Sequence, residues 1–134
     1  MKKVLFLAGL LVLAMASQCS KKNTFTPGTP FSLKIGEAAE AADGSIGIMF
    51  DSVKEDSRCP KNVNCIQAGR AIITLSAMEG KQTYSTDLTL EEGKSSEKML
   101  GQYRCRLQQL DPWPEADKRT DLATYVATLL VEKK

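Results

Sequence analysis

The chain has 134 residues, with 18 Lys+Arg against 16 Asp+Glu and no histidine. Its length suits one domain by the usual range of roughly 100–200 residues. Near-balanced charge lacks the basic footprint of a nucleic-acid binder, and the absence of histidine excludes Ser-His-Asp catalysis, Cys-His catalysis and imidazole-based zinc sites.

Lys2 and Lys3 precede an uncharged run from Val4 to Ala16. A membrane-spanning helix needs about 20 apolar residues, so this run is too short and reads as the core of an export signal. Ala14, Ala16 and Ser17 lead into Gln18 and Cys19. The segment resembles the signal of bacterial lipoproteins, in which the cysteine after the apolar run is lipidated and becomes the first residue. The resemblance implies a signal peptide over residues 1–18 and a lipid on Cys19. Gln18 stands where that signal usually has a small residue, and ordinary cleavage nearby, leaving Cys19 a free thiol, is the alternative.

Removal of residues 1–18 takes away Lys2 and Lys3 and leaves 16 basic residues against 16 acids. Acyl chains, with no polybasic patch, would then hold the protein to the membrane. By the same resemblance Ser20 suits outer-membrane delivery. Lys21 and Lys22 differ from acidic surface-export signals, which points to the periplasmic face. Residues 21–30 read KKNTFTPGTP, a composition of tethers. The expected organisation is a tether over 19–30 and a domain over 31–134.

Alternation of apolar and polar residues then marks strands. Phe31, Leu33 and Ile35 give the first. Ile46, Ile48 and Phe50 follow, then Ile73, Leu75 and Ala77, then Thr86, Leu88 and Leu90. A short strand is expected at Glu97–Leu100. Tyr103, Cys105 and Leu107 form another, and Tyr125, Ala127, Leu129 and Val131 the last. Asp43-Gly44, Glu79-Gly80, Glu92-Gly93 and Gly101 are turn signals between them. Glu37–Ala42 fits either a helical turn or the end of a strand. The pattern predicts an all-β fold, a single small β-sandwich or partly open barrel of about seven mostly antiparallel strands.

The segment from Asp51 to Ala71 holds Cys59 and Cys65. In an oxidising compartment their pairing is the default expectation, and closing so small a ring stabilises by roughly 2–2.5 kcal/mol. A thioredoxin-like site would want two residues between the cysteines, and a zinc site would need further ligands. Cys105 shares the inward parity of Tyr103 and Leu107. It is read as a buried free thiol, with a bridge to Cys59 or Cys65 as the rival.

Asp56-Ser57-Arg58-Cys59-Pro60, then Cys65, Ala68-Gly69 and Ala71, resemble the motif DSRCP…C-x-W-x-G-x-A. That motif marks a widespread family of small exported bacterial proteins and lipoproteins. The resemblance implies a compact β domain stapled at this loop and brings no activity with it. Gln67 stands where the family usually has Trp.

Two readings of Asp56 and Arg58 stand open. In one they serve the loop itself, Asp56 accepting backbone N–H groups and Arg58 meeting a carboxylate. In the other a rigid loop presents Arg58 and Lys61 to an acidic partner. Trp113, the only Trp, lies between Pro112 and Pro114 in a long connection. It is either a lid on the core or an exposed anchor for a protein or a sugar ring.

Carboxylate pairs such as Glu91-Glu92 and Asp117 with Asp121 are the only catalytic candidates, and no nucleophile elbow or phosphate loop accompanies them. The expectation is a non-enzyme without cofactor, metal or nucleic acid. It is a binding or assembly module of the envelope, with a protein or glycan partner, and Asp56, Arg58, Lys61, Gln67 and Trp113 as candidate binding residues. A structural lipoprotein without a small ligand and an inhibitor-type loop protein are the alternatives.

Overall fold

The computed structural model describes residues 22–92 and 94–134. The signal over 1–18 and the lipidation site at Cys19 lie outside the described residues. The strands are β1 (Asn23–Phe25), β2 (Phe31–Lys34), β3 (Ala38–Ala41), β4 (Gly47–Asp56), β5 (Arg70–Glu79), β6 (Gln82–Glu91), β7 (Lys94–Ser95), β8 (Glu97–Leu100), β9 (Tyr103–Asp111) and β10 (Val126–Lys133). One sheet runs β1-β3-β4-β5-β6-β7 and the other β2-β10-β9-β8. All pairs are antiparallel except β1 with β3. Among the described residues the sole helical element is a single 3-10 turn, Leu122–Thr124.

The two-residue period builds this sandwich. Ala71, Ile73, Leu75 and Ala77 of β5 point inward and are buried, while Ile72, Thr74 and Ser76 alternate with them. Leu33, Cys105, Leu107, Leu129 and Val131 face them from the other sheet. Each fully buried Leu, Ile or Phe stabilises by about 1.5–3 kcal/mol, so the alternation fixes which face each strand turns inward.

The all-β expectation is met, with three additional strands. Residues 23–30 are no free tether. Asn23–Phe25 pairs with Ala39–Ala41, Phe25 is buried and stacks on Phe31 at 4.1 Å, and the Gly28 N–H donates to Val131 O at 2.8 Å. The folded domain therefore begins at Asn23, because Phe25 needs apolar cover. Of the two options for Glu37–Ala42, the strand is realised as β3, where Ala39 and Ala41 fill narrow space in the core. β4 runs on to Asp56 through irregularities around Asp51 and Lys54. These break its alternation and leave a cysteine loop of residues 57–69.

Strand register sets the position of the cysteine loop. Asp56 pairs with Ala71, and the Ser57 N–H donates to Arg70 O at 2.8 Å, closing the neck of the cysteine loop. Asp111 pairs with Val126, so the connection 112–125 leaves the second sheet at that same end.

Candidate functional site: the cysteine loop and its cleft

Cys59 and Cys65 are disulfide-bonded with Cα atoms 5.9 Å apart, and Cys105 is a buried free thiol. The rival bridges to Cys105 are excluded. Burial in the core pushes the Cys105 thiol up to about 12.

Arg58 begins the loop and is only 5% exposed. Its Nε donates to Asp56 Oδ1 at 2.7 Å and its Nη2 to Asp56 Oδ2 at 2.8 Å, a two-pronged ion pair. Nη1 donates to Leu110 O at 2.6 Å, and Nη2 also to Pro112 O at 3.0 Å. Tyr125 Oη donates to Asp56 Oδ2 at 2.8 Å. Burial raises the pKa of Asp56, but the hydrogen bonds from Arg58 and Tyr125 outweigh it and hold the carboxyl below its ordinary value. Burial, then the bond to Asp56, raises Tyr125.

Trp113 closes the arrangement. The Arg58 guanidinium carbon lies 4.7 Å from its ring centroid, and the indole Nε1 donates to Cys59 O at 2.8 Å. The Lys61 N–H donates to Pro114 O at 3.0 Å. The two loops are thus tied together from both sides. Of the two readings of Asp56 and Arg58, the local one describes the structure. Arg58 is no exposed cation: its donors face Asp56, the Leu110 carbonyl of β9 and the Pro112 carbonyl of the other loop, and a buried guanidinium must find such partners.

The surface this latch holds up is different. Residues 61–68 are all exposed, with Val63 and Ile66 among them, and Ile66 is wholly exposed. Trp113 keeps 37% of its surface exposed. A cleft of about 550 Å³ lies between the loop and the β6–β7 turn. Cys59, Pro60, Val63 and Trp113 form one side, and Glu91, Lys94, Gln108 and Gln109 are among the other lining residues. Gln108 and Gln109 both reach the surface because the β9–β10 register shifts there, opposite Thr128 and Leu129. Gln67 lines an adjoining, more open depression with Glu55, Arg70 and Glu92.

The five candidate residues therefore divide. Asp56, Arg58 and Trp113 are in contact, Lys61 joins them through its backbone, and Gln67 stands apart. Tyr125, Val63, Ile66 and Gln108–Gln109 were missed. Tyr125 belongs to the inward run of the last strand, and an apolar residue in the disulfide ring was the one available signal for Val63. Among the described residues no three His, Cys, Asp or Glu side chains converge as metal ligands. No family model, curated protein or solved structure matches this chain.

Proposed function

We propose that this chain is an exported envelope module, held by a lipid on Cys19, that binds a partner protein with the end of the sandwich carrying the cysteine loop. The observation that carries this reading is Ile66, wholly exposed beside Cys65 in the disulfide-closed loop. An apolar side chain held on a rigid loop loses little freedom on binding and suits a pocket in a partner. Val63 and Trp113 add apolar surface in the cleft, and charge plays the smaller part because Arg58 is already neutralised by Asp56.

Native gel migration after mild detergent extraction of the envelope tests this. The wild-type chain is expected to migrate in an assembly, more slowly than the same chain purified alone. Ile66→Asp, which alters only exposed surface, is expected to run as free protein. Identical migration of the two at the size of the free chain would remove the proposal.

A further inference from the structure

The outer face of the six-stranded sheet changes character along its length. Towards the cysteine-loop end it is polar: Ser76 Oγ donates to Asp51 Oδ2 at 2.5 Å, and Asp87 accepts from Thr74 at 2.9 Å and from Lys54 at 2.6 Å. At the opposite end it is apolar. Gly47 lies between Glu40 and Met78 in register, and Met49 between Ala38 and Ser76. The small residues Gly47 and Ala38 make a floor, and Met49 (41% exposed) and Met78 (59% exposed) rise beside it. The resulting groove has a volume of about 340 Å³ and Lys22 at its margin. Lys81 stands in the adjoining hairpin turn.

The place of Lys22 decides what meets this groove. Cys19 precedes it by three residues, and three residues span at most about 11 Å. A lipid on Cys19 therefore holds the groove next to the headgroups, and contact with the bilayer becomes an intramolecular event at high effective concentration. Methionine side chains are flexible and polarizable and adapt to a disordered apolar medium. Lys22 is ion-paired with Glu40, which also lines the groove, so apolar surface rather than charge carries the contact.

We propose that the Met49–Met78 groove is the membrane-docking face of the domain, an inference that rests on the lipid at Cys19. β4 rises from Met49 to Asp56, about 20 Å at the usual strand spacing. A domain seated on this groove keeps the cysteine loop and Trp113, at the other end of β4, clear of the contact, where a partner can reach them.

The full-length protein is purified from its own envelope and placed in phosphatidylethanolamine–phosphatidylglycerol vesicles with plain or brominated chains. Met78→Trp is made with Trp113 left in place, and Met49→Trp is a second probe should the first fail to fold. The added indole is expected to be quenched by brominated lipid, while the wild-type chain, whose one indole is Trp113, is unaffected. Intact-mass measurement of the same samples reports the lipid on Cys19 independently. A lipidated chain with no quenching at either probe overturns the docking face and leaves the anchor standing. An unlipidated chain without quenching overturns both. Burial of the added indole by a second copy in vesicle-free solution, with no effect of brominated lipid, also overturns the docking face.

Discussion

Arg58 lies between Asp56 and Trp113: its guanidinium grips the carboxylate through two nitrogens and stands 4.7 Å from the indole centroid. Three residues separated by up to 57 positions in the chain thus form one latch joining the cysteine loop to the β9–β10 connection. Removing one partner of such a buried pair costs about 3–5 kcal/mol, because the other charge is left without compensation. Arg58→Met is expected to destabilise the domain by that amount in urea unfolding. Arg58→Lys keeps the charge but not the planar fork, and should fall between the two. Unchanged unfolding midpoints would show that the latch contributes nothing.

Acid should open the same latch. Because Asp56 titrates below its unfolded value of about 3.9, its contribution is complete above that pH and is lost as pH falls through the folded pKa. Tyr125→Phe removes one of the hydrogen bonds that lower it. In that variant the part of the acid destabilisation due to Asp56 should be smaller and be complete at higher pH, because the folded pKa moves up towards the unfolded one. The Asp56 carboxyl carbon, followed by NMR titration in both proteins, reads this directly, and superimposable curves would contradict it.

The latch was only half legible in the sequence. Asp56 and Arg58 stand two residues apart, and their local pairing was one of two readings. The carbonyls of Leu110 and Pro112 that complete the site are more than fifty positions away. Nothing in local spacing reveals such partners. The strands were more legible, since Ile73, Leu75 and Ala77, or Tyr103, Cys105 and Leu107, display the two-residue period openly. β1 was hidden because Thr, Pro and Gly surround Phe25, whose stacking on Phe31 only the fold supplies. The upper half of β4 was hidden because irregular pairing around Asp51 and Lys54 erases its alternation.

Cys105 should behave as an inert core residue. Only the thiolate attacks alkylating agents, and burial pushes this thiol up to about 12. Iodoacetamide at neutral pH is expected to leave the native protein unmodified and to label it stoichiometrically in denaturant. Since the folded pKa exceeds the unfolded one, the protonated thiol's contribution to stability is intact at neutral pH and fades as pH rises between the two values. Equal labelling rates in the native and unfolded states would contradict the buried assignment.

Gly69 is required for space at the loop neck. A Cβ there would lie 1.5 Å from Ser57 O, and backbone cannot yield as a flexible side chain does. Gly69→Ala is expected to destabilise by roughly 1–3 kcal/mol or more and to weaken the Ser57–Arg70 hydrogen bond. A lowered melting temperature with faster exchange of the Ser57 amide proton would register both effects. Wild-type values for both would mean that the neck does not hold the loop.

The central claim is that the cysteine-loop end meets a partner. Photo-crosslinking in the native envelope tests it most directly, with the probe placed at Gln67 and, separately, at Trp113. Lys98, exposed on β8, serves as the control position. The account predicts a discrete crosslinked protein from at least one of the two loop positions and none from Lys98. No adduct at either loop position, with the chain folded and membrane-bound, would contradict it.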